Sequence, residues 1–169
     1  MATPKGFKAT SQLMNIGGSA VEAIAGTFSE AEINLPLSTL DREVFIVTDV
    51  QMALSTPEAI VATDTSMIGQ VTRTAQGGSS NIAEPGTISL KVSVIRQGVV
   101  GFESTNPSDI SSSGGPNDYL AVIATPQFFV GVVGANNVAA GLCRARLTGF
   151  RAVAEASLYA ALVTEELNS

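Results

Sequence analysis

A chain of 169 residues with 45% hydrophobic residues, 14% charged residues and a net charge of -6 fits one domain with a sizeable core. The charged share is low for a protein surrounded by water, so part of its surface is expected to be hidden. Other copies are expected there before a lipid bilayer, since no run approaches the roughly 18 to 20 apolar residues of a spanning helix. The absence of histidine removes Ser-His and Cys-His nucleophile pairs, the usual base near neutral pH and the commonest transition-metal ligand, so neither an enzyme nor a cofactor is expected.

Residues 1–27 read as an arm. The first eighteen are rich in Gly, Ser and Thr without periodicity, and the lysines Lys5 and Lys8 are followed by no apolar stretch, so no secretory signal is expected. Ser19 with Glu22 three residues on has the form of a capping box and predicts a short helical turn to Ala25. From Phe28 the period changes to two. Ala31, Ile33, Leu35 and Leu37 alternate with Glu30, Glu32, Asn34 and Pro36, which predicts a half-buried strand at a sheet edge.

Asp41 to Leu54, DREVFIVTDVQMAL, is apolar on both faces. Val44, Ile46, Val50, Met52 and Leu54 share one parity, broken by Thr48, and are assigned to the core; Phe45 and Val47 share the other with Asp49 and Gln51. Phe45 and Val47 are therefore expected to face a neighbouring subunit, or a helix folded over the sheet. After a turn at STPEA, SMIGQVTRTA is a partial strand in which Gly69 suggests a bulge. Ala75 to Gly86 is a loop by composition, and TISLKVSVI alternates cleanly, Ile88, Leu90, Val92 and Val94 against Ser89, Lys91 and Ser93. RQGVVGFES adds a short strand, and Thr105 to Asp118 reads as a long polar loop whose Asn106, Asp109, Asn117 and Asp118 lack the spacing of a calcium loop.

YLAVIA and FFVGVV are again apolar on both faces. LCRARLTGFRAV then alternates Cys143, Ala145 and Leu147 against Arg144 and Arg146. The single Cys143 excludes an internal disulfide and is expected to be a buried, inert thiol. Arg144, Arg146 and Arg151 form the one basic cluster of note, suited to carboxylates of a neighbouring chain or to phosphate groups, with a solvated sheet face as the plainer reading. In the closing AEASLYAALVTEELNS, Leu158, Ala161, Leu162 and Glu165 recur at helical spacing, with a final strand as the rival. Asp64-Thr65-Ser66 reads as a turn or strand-end cap.

About eight short strands between turn-rich segments predict an all-β chain: an antiparallel sandwich of the jelly-roll type over 28–169, with a flexible N-terminal arm and a short C-terminal helix. The missing tryptophan and second cysteine argue against an immunoglobulin-like sandwich. In REVFIVTDVQMALSTPE, SSNIAEPGTISLKVSV and YLAVIATPQFFVGVVGANNVAAGLCRARLTGFRAVAEASLYAALVTEE the chain resembles single jelly-roll viral capsid proteins, and is similar to those of small marine viruses. The resemblance covers most of the chain from Phe28 onward. It implies a virion protein that self-assembles into a shell around a genome, with other copies of itself as partner. Many such proteins carry a basic N-terminal arm and this chain does not, so direct nucleic-acid binding is disfavoured; an internal membrane or another virion protein is the implied substitute. Phe45, Val47, Arg144, Arg146 and Arg151 are the expected subunit-interface residues, and Phe45→Asp is expected to block assembly without unfolding the monomer. The same composition would also serve a cellular filament or surface-layer subunit, or a glycan- or receptor-binding module acting through the 105–118 loop.

Overall fold

The computed structural model describes residues 4–98, 101–109 and 119–168. Strands β1 (Phe7–Ala9), β2 (Met14–Val21), β3 (Ser29–Asn34), β4 (Glu43–Leu54) and β5 (Thr65–Thr72) lead into β6 (Thr87–Gly98), β7 (Gly101–Asp109), β8 (Ala121–Ile123), β9 (Gln127–Ala135) and β10 (Leu142–Ala154). Helix α1 (Ala156–Leu167) closes the chain. The strands form two antiparallel five-stranded sheets. In the first, β1 and β2 both pair with β10, followed by β4 and β8; the second runs β3-β9-β5-β6-β7. Setting β1 and β7 aside, the nested orders β2-β10-β4-β8 and β3-β9-β5-β6 have the winding of a jelly roll, as the alternating pattern and turn spacing predict.

Several local expectations are corrected. Two stretches of the 1–27 arm belong to the sandwich: Phe7 to Ala9 and Met14 to Val21 pair with β10 in regular register, and no helical turn forms at Ser19. Pairing with β10 satisfies main-chain groups that a single helical turn would leave bare. Gly18 faces inward, where a Cβ would press into Ile33 of β3, so a residue that looks like disorder is a point of close packing between the two sheets. Gly69 sits in continuous pairing and not in a bulge. Thr105 to Asp109 extend β7, while the rest of that expected loop, 110–118, lies outside the described residues.

A bulge between β4 and β10 explains the two-faced strand. Thr148 pairs with Asp49 and Gly149 with Val47, leaving Thr48 unpaired, its hydroxyl donating to the Thr148 carbonyl at 3.0 Å. The extra residue shifts the phase of β4. Phe45, Val47, Val50 and Met52 all face the space between the sheets, with Met67, Val71, Phe128, Val130, Val132, Cys143 and Leu147. Gly149 stands at the shift because a side chain there would meet the Ile46 carbonyl and the Phe45 ring.

Val44 and Ile46 point the other way, into a second apolar layer with Val122, Ala124, Phe150, Ala152 and Ala154. Helix α1 covers this layer through Tyr159, Leu162 and Val163. These residues lie at i, i+3 and i+4, and i+7 is Glu166, whose carboxylate reaches the turn between β8 and β9 and accepts the N–H groups of Ala124 (2.8 Å) and Thr125 (2.9 Å). The helix is thus the outcome of the helix-or-strand choice, with its contact stripe one residue beyond the Leu158–Leu162 spacing. Arg73, at the end of β5, adds an ion pair to Glu165 at 3.2 Å.

Candidate functional site

The residues expected at a subunit interface separate into different places. Phe45 and Val47 have no exposed surface and belong to the core between the sheets. Their expected outward orientation is reversed, because simple alternation carries no information about the extra residue at Thr48.

Arg144 and Arg146 project from the outer face of the first sheet and are exposed. They lie on β10 between β2 and β4, Arg144 paired with Ser19 and Ala53, and Arg146 with Gly17 and Gln51. The Arg146 guanidinium donates to the Gln51 side-chain oxygen, and the Gln51 amide donates to Asp49 at 3.2 Å. Gln51, Met52, Ala53 and both arginines border a shallow hollow of about 380 Å³. Small neighbours, Ser19 and Ala53, flank Arg144 and leave its guanidinium open to an incoming carboxylate or other anion, while Arg146, beside Gly17, already has Gln51 as one acceptor.

Arg151 does not join them. It differs in parity from Arg144 and Arg146, so it faces the opposite side of β10, where its guanidinium donates to the Pro36 carbonyl at 3.2 Å and pairs with Glu43 at 3.7 Å. Glu43 also accepts from the Ser38 N–H and the Thr10 hydroxyl. Arg151 thereby ties the chain before β2 and the β3–β4 connection to the sandwich and has a structural role.

Acidic residues elsewhere in the chain do similar work. Glu22, 3% exposed, accepts the N–H groups of Gly26 (3.1 Å), Gly134 (2.6 Å) and Gly141 (2.6 Å), tying the β2–β3 and β9–β10 connections to the end of β9. At the same end Glu58 accepts from Val138 and Ala139, and Asp64 accepts from the Gln97 N–H at 3.0 Å, in keeping with its reading as a strand-end cap. Glu30 accepts from the Gln76 N–H, and burial pushes its carboxyl above the ordinary range against the pull of main-chain hydrogen bonds from Gln76 and Gly77. The only signal for these clamps in the sequence is an acidic residue among apolar or loop residues; the partners are up to 119 positions away. The Cys143 thiol is buried, and its surroundings push its pKa up to about 12, as an inert core cysteine requires. Among the described residues no acidic or cysteine cluster is placed to hold a metal ion, and no helix is long and apolar enough to cross a membrane.

No family model and no curated protein matches the chain. Its functional surfaces are therefore read from its own geometry, and the sheet edges are the most telling part.

The edges differ in how they are guarded. Strand β8 has three residues, and β7 carries Pro107 and Asp109 in its sequence. Strand β3 carries Glu30 and Glu32. Charge, proline and short length are the usual devices that stop an edge from pairing with another chain. Strand β2, MNIGGSAV, is eight residues long and has none of them.

Proposed function

We propose that this chain is a self-assembling structural subunit, a virion shell protein whose jelly-roll sandwich is the repeating unit. The observation that carries the reading is the nested winding β2-β10-β4-β8 over β3-β9-β5-β6 in a chain with only 14% charged residues. Such a winding forms a rigid block with flat faces and edges, and low charge lowers the cost of burying those surfaces between copies. Shared fold alone never assigns a function. Support comes also from the loop clamps, since Glu22, Glu43 and Glu58 hold the connections in one conformation and a lattice subunit profits from connections ordered before assembly.

Arg144 and Arg146 are the residues of choice for a lateral contact, because they stand exposed on a central strand with Gly17, Ser19 and Ala53 among their neighbours. Negative-stain electron microscopy of the purified protein, with light scattering over a concentration series, tests the reading. Wild-type protein is expected to form closed particles or regular sheets. The double variant Arg144→Glu/Arg146→Glu is expected to stay folded, with stability within about 0.5 kcal/mol of wild type as for exposed substitutions, and to lose them. A wild-type monomer at every concentration removes the proposal. Tubes or fibres would move it to a filament subunit.

A further inference from the structure

We infer that β2 is a self-pairing edge: two copies join by antiparallel pairing of β2 with β2 about a two-fold axis through Gly18, merging their first sheets into one. This rests on the self-assembly reading above and names the contact that reading requires.

The main-chain directions follow from the structure. The Glu22 N–H donates to the Gly141 carbonyl at 3.0 Å, so residue 22 directs its main chain at β10. In an antiparallel ladder the direction alternates, which sends Ala20, Gly18, Ile16 and Met14 to β10 as well. Asn15, Gly17, Ser19 and Val21 then present their N–H and C=O groups to the outside. The N–H of Ala23, the next residue of that parity, also turns away from β10, to the Ser29 hydroxyl at 3.0 Å.

An unpaired row of this kind is a template for another strand, and its composition says which. Antiparallel self-pairing with Gly18 opposite Gly18 sets Asn15 against Val21 and Gly17 against Ser19, so every outward-directed residue meets another and about eight main-chain hydrogen bonds form. No like charges face each other across the contact, since β2 has none, and no proline interrupts it. The side chains on the outer face at the contact are Asn, Gly, Ser and Val, small enough for a second sheet to continue without a clash. Gly18 has no side chain to obstruct the axis, and its inward side is filled by Ile33. On the same flank of the sandwich, β3 bears Glu30 and Glu32, which oppose pairing of the second sheet. One guarded and one unguarded edge, stacked on the same flank, direct association to β2. Nearby β1, which pairs with the other end of β10, carries Lys8 and limits the contact to the length of β2.

Gly17→Pro removes an outward N–H that no bond within the subunit uses and places a ring on the edge, where proline is tolerated in a lone chain. Light scattering is expected to show the concentration for half-association raised at least about tenfold, with wild-type circular dichroism. The second measurement is cross-linking. Gly17→Cys protein mixed with Ser19→Cys protein is expected to form a disulfide-linked dimer of the two variants under mild oxidation, since directly opposed residues lie within disulfide reach and Cys143 is buried. If the wild-type protein assembles, and Gly17→Pro associates at the wild-type concentration or the cysteine pair does not cross-link, the β2 contact is overturned while the self-assembly reading stands. If Gly17→Pro does not fold, the cysteine pair decides. A wild-type monomer at all concentrations overturns both. Protection of the Asn15, Gly17, Ser19 and Val21 amides from hydrogen exchange only after adding a different protein would assign the edge to that protein and overturn self-pairing.

Discussion

The outer face of the first sheet has two halves built from the same two strands. Around Val44, Ile46, Phe150 and Ala152 it is apolar and covered by α1; around Asp49, Gln51, Arg144 and Arg146 it is polar and open. The boundary lies at Thr48 and Thr148, where the bulge changes the phase of β4. On β10, which keeps its phase, the change is purely chemical: Arg144, Arg146 and Thr148 give way to Phe150, Ala152 and Ala154 on one face. A strand apolar on both sides therefore need not signal a subunit contact. In the covered half the greasy outer face is satisfied within the chain, and the assembly proposed above draws on the open half and the edge of β2.

The largest test of that comparison is Phe45→Asp. The sequence pattern expects a folded monomer that cannot assemble; the structure places that side chain in the core between the sheets, beside Ile123 and Gly149. A destabilisation of about 5 kcal/mol or more is expected, comparable with the whole stability of a small domain, so circular dichroism should show an unfolded chain. A cooperative melt near that of wild type would restore the outward orientation.

Leu162→Asp probes the covered half alone. Loss of its packing against the Phe150 layer is expected to cost about 2–3 kcal/mol in urea unfolding and to raise binding of a hydrophobic dye as Val44 and Ile46 become accessible. Unchanged dye binding would mean that the helix is not what covers the layer.

The smallest effect concerns Glu166, at the foot of the helix. Burial holds its carboxyl above the ordinary range, although the N–H groups of Ala124 and Thr125 and the charge of Arg73 pull it down. A carboxyl raised in the folded state binds its proton more readily there than in the unfolded chain. Its contribution to stability is full below the ordinary carboxyl value of 4.5 and is lost as pH rises through the folded value. Glu30, raised for the same reason, adds in the same direction. Stability measured from pH 7 toward pH 5 should therefore rise less in Glu166→Gln than in wild type. Parallel curves for the two proteins would show that this carboxyl does not titrate differently on folding.

Much of the architecture was legible in the residues. LCRARLTGF alternates because one side of the strand meets the other sheet. TISLKVSVI also formed a strand, but with the opposite orientation to its pattern: Ser89, Lys91 and Ser93 share the face of Met67 and Val71 toward β4, and Leu90, Val92 and Val94 lie on the outer face. Helical spacing near the C-terminus identified α1, though its contact stripe is Tyr159, Leu162, Val163 and Glu166. Parity alone separated Arg151 from Arg144 and Arg146, a distinction the expected cluster overlooked. The segment Met14 to Val21 was illegible because Gly, Ser and Asn have little strand preference of their own; pairing with β10 supplied it.

Length, low charge, missing histidine and period-two patterning by themselves determined a sandwich without histidine chemistry, since these are properties of composition and of neighbours along the chain. The phase of β4, the identity of the covering element, the clamps formed by Glu22 and Glu43, and which edge stands unguarded were decided only by the tertiary structure. Each depends on contacts between residues distant in sequence: Thr48 with Thr148, Glu22 with Gly141, Gly18 with Ile33. Local periodicity can say that a face is apolar, but which surface covers it is settled when the chain closes on itself.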